Sequence, residues 1–264
     1  MSKDEPKLSY GSYLQVSELI KLQKLMSDPP RHDEMLFIVI HQVYELWFKQ
    51  VLHEVDYVKR LLAARDLPRV QHTLKRVLTI LKVLVAQLDI LETMTPLEFL
   101  TFRERLEKGS GFQSHQFREL EFELGQKDRR AIARTPEGAG REALERRWAS
   151  PTLWDAFLRY LKAEGYDVPE DQLSRDPTEA VAASPALQDV LIDLYRGDPR
   201  NAELCERLVD LDEGIQEWRY RHVKMVERTI GTKRGTGGSE GAEYLKTTLF
   251  RAAFPDLWAI RSRL

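Results

Sequence analysis

The stretch LCERLVDLDEGIQEWRYRHVKMVERTIG, Leu204–Gly231, decides the fold. At alternating steps of four and three residues it aligns one histidine with seven apolar or nearly apolar residues, and residues so spaced share one face of a helix. This stripe is Leu204, Leu208, Leu211, Ile215, Trp218, His222, Met225 and Thr229. His222 stands where a leucine is expected. The pattern predicts either a core histidine tied to a neighbour or a histidine that holds a group in the interior.

Two further stretches predict helices of similar length. Asp33–Ala63 carries the stripe Phe37, His41, Tyr44, Phe48, Val51, Val55, Val58 and Leu62, again with one histidine. Leu67–Thr93 carries leucines and valines at the same spacing. Three long amphipathic helices side by side are the skeleton of a bundle, and no alternating strand pattern of useful length competes with them. We therefore predict an all-α helical bundle that forms a single domain over residues 1–264, with a pocket between the long helices.

The remaining segments predict shorter elements. Residues 1–11 are polar and predict a flexible N-terminal arm, and residues 126–200 predict peripheral helices and loops. Thr95 followed by Pro96 predicts a helix start, because threonine caps well and proline suits the first helical position. Further helices are predicted over Ser12–Met26, Gln113–Leu124 and Tyr244–Trp258, with a break at Gly109–Gly111.

The overall composition excludes several classes of protein. The formal net charge is −2, which lacks the basic excess of nucleic-acid-binding proteins. A single cysteine, Cys205, excludes an internal disulfide framework, a cysteine-rich metal site and the paired cysteines of thioether-attached haem. No uncharged run approaches the ~18 residues of a membrane span, and no signal peptide is evident. We expect a cytoplasmic protein with no membrane or nucleic-acid partner.

Two histidines on apolar stripes leave two interpretations open. A buried imidazole without a hydrogen bond costs about 1–3 kcal/mol, so each must have a partner, and a structural partner is the commoner case. A helical pocket with one histidine on a haem iron and another across it is the functional alternative. A di-iron bundle is disfavoured because no histidine has a glutamate three residues before it.

Arg103 and a glycine-rich stretch also have two interpretations each. Arg103 lies among Phe99, Phe102 and Leu106, where it can extend towards solvent or grip a carboxylate with its planar guanidinium. Gly235–Gly241 matches neither the P-loop nor the dinucleotide fingerprint. It is typical of a flexible linker, or of a lid that closes over a ligand.

The residues singled out above fall in four ordered stretches by which the chain resembles the tryptophan 2,3-dioxygenase family. The stretches are LSYGSYL (8–14), HDEMLFIVIHQVYELWFK (32–49), LETMTPLEFLTFRERLEKGSGFQSHQFRELEFELG (91–125) and WRYRHVKMVERTIGTKRGTGGSEG (218–241). They extend over nearly the whole chain, and 126–200 is the variable part. The resemblance implies a non-covalent haem b cofactor and addition of both atoms of O₂ across the indole C2–C3 bond of L-tryptophan, giving N-formyl-L-kynurenine.

The resemblance also implies a role for each matching residue. His222 corresponds to the axial ligand of the haem iron, and Ser110 and Gly111 fall on a turn close to the haem. His41 corresponds to the catalytic histidine that hydrogen-bonds the indole N–H. The other residues implied to bind substrate are Phe37, Phe99 and Leu106 around the indole, Arg103 at the carboxylate, and Thr236 at the ammonium and carboxylate. Tyr10, Tyr13 and Leu14 match an N-terminal segment that reaches into a neighbouring subunit of a homotetramer.

Departures from the family pattern are few. Phe99 stands where some relatives carry tyrosine, and His115 where they often carry an apolar residue. Both bear on affinity rather than on the type of reaction. Two other functions stay open on the sequence: a related haem oxygenase acting on a substituted tryptophan or another indole, and a haem-binding sensor or carrier without catalysis.

Overall fold

A computed structural model describes residues 8–107, 109, 113–233, 235 and 241–264. The chain is all-α, and no β-strand occurs in these ranges. The helices are α1 (Tyr10–Tyr13), α2 (Val16–Leu19), α3 (His32–Ala63), α4 (Leu67–Leu91), α5 (Pro96–Leu100), α6 (His115–Glu123), α7 (Arg129–Arg134), α8 (Ala139–Trp148), α9 (Leu153–Ala163), α10 (Glu170–Leu173), α11 (Pro185–Gly197), α12 (Pro199–Ile230), α13 (Ala242–Lys246) and α14 (Pro255–Ala259). Short 3₁₀ turns cover Arg103–Leu106 and Ile260–Arg263.

The three predicted long helices are confirmed as α3, α4 and α12. The start of α12 differs from the prediction, because the helix begins five residues earlier, at Pro199. The Asp198 carboxylate accepts hydrogen bonds from the backbone N–H groups of Arg200 and Asn201, and Pro199 occupies the first helical position. This cap satisfies N–H groups that have no partner inside the helix.

The long helices pack through their apolar stripes, which form one continuous core. Val51, Val55 and Val58 of α3 are fully buried, as is Leu88 of α4. On α12, Gly214 lets the backbone approach α4 closely, since a Cβ there would lie 3.0 Å from Leu81 Cδ1. Burial of this kind contributes about 1.5–3 kcal/mol for each large aliphatic side chain. None of the helices in the described ranges is both long and apolar enough to cross a membrane.

The predicted helix over Ser12–Met26 is wrong. The structure has two single-turn helices, α1 and α2, and no helix after Leu19 in that stretch. Gln15 separates them because its φ of 53° lies in the left-handed region, which a continuous helix cannot include. After α2 the chain is held at its far end by the buried carboxylate of Glu34, which accepts hydrogen bonds from the backbone N–H groups of Met26 and Ser27.

The predicted helix over Tyr244–Trp258 is also wrong. Two short helices, α13 and α14, stand in its place, and Phe250 between them has a φ of 59°. Pro255 occupies the first position of α14 and cannot continue an earlier helix. The Asp212 carboxylate fixes this segment to α12 by accepting hydrogen bonds from the Ala253 and Phe254 backbone and the Trp258 indole, at 2.8, 3.1 and 2.8 Å.

The prediction that residues 126–200 are peripheral does not hold for α9. Trp154, Phe157, Leu158 and Leu161 of this helix are at most 1% exposed and belong to the main core. A capping box between Thr152 and Asp155 starts the helix. The apolar pattern of these four residues predicts a short helix, but the charged sequence around it favours a peripheral position, whereas the side chains of α9 complete the core.

The shorter features predicted between α4 and α7 agree better with the structure. Thr95 caps α5 in a capping box with Glu98, with Pro96 in the first helical position, as predicted. The predicted helix over Gln113–Leu124 is confirmed as α6, which starts two residues later because Ser114 is its N-cap. Of the predicted break at Gly109–Gly111, only Gly109 is among the described residues.

Candidate active site

A cavity opens between the long helices α3, α4 and α12. Its remaining wall comes from α5, the 3₁₀ turn at Arg103–Leu106, α6 and the segment 241–248. The space measures about 1560 Å³, including the part that opens to solvent. The predicted site residues that line it are Phe37, His41, Phe99, Arg103, Leu106 and His222.

His41 faces the cavity from α3 with a defined hydrogen-bonding state. Its Nδ1 lies 2.7 Å from the backbone carbonyl oxygen of Phe37, one helical turn earlier. A carbonyl oxygen only accepts, so Nδ1 carries the proton and Nε2 keeps a lone pair. Burial lowers the pKa of His41, and the Phe37 carbonyl and the Glu45 carboxylate only partly offset this effect. At neutral pH the imidazole is therefore uncharged, with Nε2 available as an acceptor.

His222 lines the cavity from α12, one turn after Trp218. The two rings are parallel within 7°, with centroids 5.1 Å apart. Burial, together with the nearby His41 and Arg118, lowers the pKa of His222 to about 4. A neutral imidazole with its ring orientation fixed by stacking is the form that ligates a metal ion. In the described ranges no group of three or more histidine, cysteine, aspartate or glutamate side chains is arranged to hold a metal ion.

Two phenylalanines form an apolar wall near His41. The Phe37 ring lies 4.1 Å from the His41 ring and 5.8 Å from Phe99, measured between centroids. Phe102, which is buried and does not line the cavity, packs against both rings, 5.6 Å from Phe37 and 5.4 Å from Phe99. Such a wall suits a flat apolar ring. The sequence prediction named Phe37 and Phe99 but gave Phe102 no role, although its spacing of three from Phe99 places both on one side of the α5 region.

Arg103 brings a positive charge to the same cavity. It is half-buried at the start of the 3₁₀ turn that follows α5, and Leu106 lines the cavity from the end of that turn. A guanidinium in a largely apolar cavity is suited to pair with a carboxylate in two parallel hydrogen bonds. The predicted substrate contacts Phe37, Phe99, Arg103 and Leu106 therefore lie around one space.

A cluster of charges, which the sequence prediction missed, forms another part of the wall. Glu121 of α6 bridges two arginines, with Arg118 Nη1 at 2.5 Å and Arg219 Nη2 at 2.7 Å. Arg219 is 4% exposed, and its Nε has no hydrogen-bond partner among the described residues. The buried Arg219 shares the Glu121 carboxylate with Arg118, so its Nε is suited to an additional anionic group. No sequence pattern indicates this cluster, because Arg118 and Arg219 are 101 positions apart and each stands in an ordinary charged helix.

The remaining predicted site residues either lie outside the described residues or are exposed in and beside α1. Ser110, Gly111 and Thr236 lie outside the described residues. Tyr10, Tyr13 and Leu14 lie in or beside α1, where they are 78, 69 and 44% exposed. They do not line the cavity of their own chain.

Three of the four other histidines lie on the surface. His32, His53 and His72 are exposed. His115 differs, because it is half-buried and packs against Gly140 of α8, where a Cβ would lie 3.0 Å from its ring. Its ring therefore occupies a structural position between α6 and α8.

Comparisons with known proteins agree over almost the whole chain. A sequence model of the family described as tryptophan 2,3-dioxygenase matches residues 2–142 and 167–264. A tryptophan 2,3-dioxygenase of Herpetosiphon aurantiacus is 58% identical over 257 residues, which cover 97% of this chain and 98% of the relative. Enzymes of the same name from Anaeromyxobacter sp. strain K and Caulobacter vibrioides are 56% and 44% identical, covering 97% of this chain and 96% and 98% of theirs.

Proposed function

This chain belongs to the tryptophan 2,3-dioxygenase family, and we propose that it oxidises L-tryptophan to N-formyl-L-kynurenine by adding both atoms of O₂ across the indole C2–C3 bond. The observation that carries the proposal is that two neutral imidazoles, His41 and His222, line one cavity together with Arg103. Such a site offers one group to ligate a metal ion, a second to accept a hydrogen bond from an indole N–H and a third to pair with a carboxylate. The names of the relatives do not favour a substituted indole as the main substrate.

The cofactor of the proposal is non-covalent haem b. His222 would be the axial ligand of the iron, and the apolar cavity wall would cover the porphyrin face. Arg118 and Arg219 would offset the negative charge of its carboxylates, which fits the unpartnered Nε of Arg219. When bound, the haem supplies the oxygen chemistry that amino-acid side chains lack. The single cysteine, Cys205, suits the reducing cytoplasm, which is the proposed location.

The protein's part in the reaction is to bind and orient tryptophan. The wall of Phe37 and Phe99, supported by the buried Phe102, would bury the indole, while the Arg103 guanidinium would pair with the carboxylate. Thr236, outside the described residues, is proposed to contact the ammonium and carboxylate. With one end of the substrate held by charge and the other by shape, the C2–C3 bond has a fixed position.

His41 is proposed to hold the indole through its N–H. Because Nδ1 donates to the Phe37 carbonyl, Nε2 is the acceptor that an indole N–H requires. The indole N–H is a very weak acid, so His41 acts by positioning the ring rather than by removing its proton. Burial keeps the imidazole uncharged, which preserves the acceptor.

The protein is further proposed to be a homotetramer in which the N-terminal segment reaches a neighbouring subunit's site. Tyr10, Tyr13 and Leu14 support this, because large apolar side chains so exposed in one chain are suited to burial against another. These residues would then bind substrate in the neighbour's cavity, near its Phe37 wall.

Reconstitution with haem tests the proposal. Purified protein is expected to take up one haem per chain with a Soret absorption band. After reduction, in air, it is expected to convert L-tryptophan to N-formyl-L-kynurenine, followed by absorbance and mass spectrometry with an ¹⁸O₂ label in both positions. Protein that binds haem and O₂ yet leaves tryptophan unchanged would contradict the activity and favour a sensor or carrier.

A further inference from the structure

Gln116, in the first turn of α6, makes a two-point contact with α3 beside the cavity. Its Nε2 donates one hydrogen bond of 2.8 Å to Glu45 Oε2 and one of 2.9 Å to the Glu45 backbone oxygen. The two hydrogens of a side-chain amide nitrogen are thus both used on one residue. Glu45 makes no ion pair within the described ranges, whereas Glu121 across the cavity pairs with two arginines. A neutral amide is therefore its fixed partner.

The position of this contact joins α6 to the helix that carries His41. Glu45 lies one helical turn after His41 on α3 and lines the cavity itself. On α6, Phe117 follows Gln116, and its ring centroid lies 4.7 Å from that of Trp218, which stacks on His222. Phe48 of α3 also contacts Trp218 directly, with ring centroids 5.8 Å apart, so α3 and α12 have their own apolar contact. The Gln116–Glu45 contact therefore fixes the position of α6 beside His41 rather than the spacing of the long helices.

The other polar contacts between α3 and α6 lie farther from the cavity. Lys59 pairs with Glu123, and Arg147 of α8 bridges Asp56 and Glu123. These ion pairs hold the far end of the two helices, about three turns from Glu45. Loss of the Gln116 contact should therefore leave the bundle folded and loosen only the end of α6 that borders the cavity.

We infer that Gln116, through its two hydrogen bonds to Glu45, is a positioning residue that fixes α6, and with it Phe117 and Arg118 of the cavity wall, against the part of α3 that carries His41. The inference rests on the proposed function, because α6 borders the space in which haem and the indole would bind. A displacement of about 1 Å in such an arrangement can reduce the rate about a hundredfold, so even a partial shift is measurable.

The test compares Gln116→Ala, Glu45→Ala and the double variant with wild-type holoenzyme. Each single variant is expected to lower kcat/KM for tryptophan about five- to tenfold, mainly through a higher KM, because the misplaced site binds the indole less well. The double variant is expected to be no worse than either single one, since the two residues act as a unit. The carbon monoxide stretching band of the ferrous carbonyl complex should shift or broaden, because it reports the surroundings of the bound gas.

Two matched variants separate positioning from other effects. Glu45→Gln keeps an oxygen acceptor for Gln116 and is expected to stay within about twofold of wild type, since it removes only the charge. Gln50→Ala removes an amide–carboxylate hydrogen bond of 2.6 Å to Glu54 on the same helix, away from the cavity, and should change neither kcat/KM nor the band. If Gln116→Ala does not fold, Gln116→Asn makes the same test, because it is one methylene too short to reach Glu45.

Distinct outcomes overturn the inference and the proposed function. Wild-type kinetics and an unchanged carbonyl band in the Gln116 variants would overturn the positioning role alone. A loss with Glu45→Gln as large as with Glu45→Ala would also overturn it, because charge and not the contact would then matter. Wild-type protein that takes up no haem or forms no N-formyl-L-kynurenine would overturn the proposed function itself.

Discussion

The two walls of the cavity differ in how their side chains are held. The long-helix wall, formed by α3, α4 and α12, carries His41 and His222 on helices whose apolar stripes are buried along their length. The short-element wall, formed by α5, the 3₁₀ turn, α6 and the segment 241–248, carries Arg103 and Leu106 on pieces of at most nine residues. On the proposed function, the rigid wall would supply the iron ligand, and the wall of short elements would supply the group that pairs with the substrate carboxylate.

The largest expected effect is the loss of haem binding after a substitution in the rigid wall. His222→Ala should abolish stable haem binding, because no other described side chain at that position replaces the axial ligand. Gel filtration of the reconstituted protein, with absorbance at the Soret band, measures the retained haem. His72→Ala, which removes an exposed histidine from α4, should retain haem fully. A His222→Ala protein with a normal Soret band and normal activity would contradict the assignment.

The next largest effect is expected on kcat/KM for tryptophan, from a substitution in the short-element wall. Arg103→Leu should keep the haem but lower kcat/KM for tryptophan about a hundredfold, because a buried carboxylate would lose its charged partner. Arg105→Leu changes an exposed arginine on the same 3₁₀ turn and should have little effect. Steady-state kinetics of both variants make the comparison. Equal kinetics for Arg103→Leu and wild type would remove Arg103 from the site.

A smaller effect is expected at His41, which lies on the rigid wall and is proposed to contact the substrate. His41→Ala should retain haem and lower kcat about ten- to fiftyfold, since one orienting hydrogen bond is lost. The exposed His53 on the same helix provides the control variant, His53→Ala. Loss of haem in His41→Ala would show that the two histidines have been assigned the wrong way round.

The pH dependence of the wild-type enzyme follows from the same imidazole. Burial lowers the pKa of His41, so its neutral, accepting form persists below the usual histidine range. As the pH falls through this lowered pKa, Nε2 gains a proton and can no longer accept from the indole. The acid limb of kcat/KM should therefore lie below about pH 6.5 and should be absent from His41→Ala.

The smallest effect is expected on the free energy of unfolding, from a substitution on the outer face of the rigid wall. Arg221→Gln removes ion pairs of 2.6 and 3.5 Å with Asp89 and Glu92 of α4. These groups are partly exposed, so the free energy of unfolding should fall by about 1 kcal/mol or less. Urea denaturation measures it, and the haem content should stay unchanged. A large loss of haem would mean that the long helices are held together by surface charge rather than by their buried stripes.

The same contrast explains what could be predicted from the sequence. Periodicity identified α3, α4 and α12 because many repeated apolar positions must agree over a long helix. It failed over Ser12–Met26 and Tyr244–Trp258, where a single left-handed residue, Gln15 or Phe250, ends the helix without changing the apolar pattern.

For the site, His41 and His222 could be predicted as site residues because each interrupts the apolar stripe of a long helix. The resemblance to the family implied what each histidine does. Arg118 and Arg219 were missed because their shared carboxylate, Glu121, is visible only when α6 and α12 are packed together. Tertiary contacts between distant residues thus account for most of what the sequence left open.

In the proposed site, His222 is the ligand of the haem iron and His41 is the unligated histidine across the cavity. The most direct measurement is the iron–histidine stretching band in the resonance Raman spectrum of the ferrous holoenzyme, recorded for wild type, His41→Ala and His222→Ala. We expect the band in wild type and in His41→Ala, and its loss in His222→Ala. A band that persists in His222→Ala but disappears in His41→Ala would contradict the arrangement proposed for this cavity.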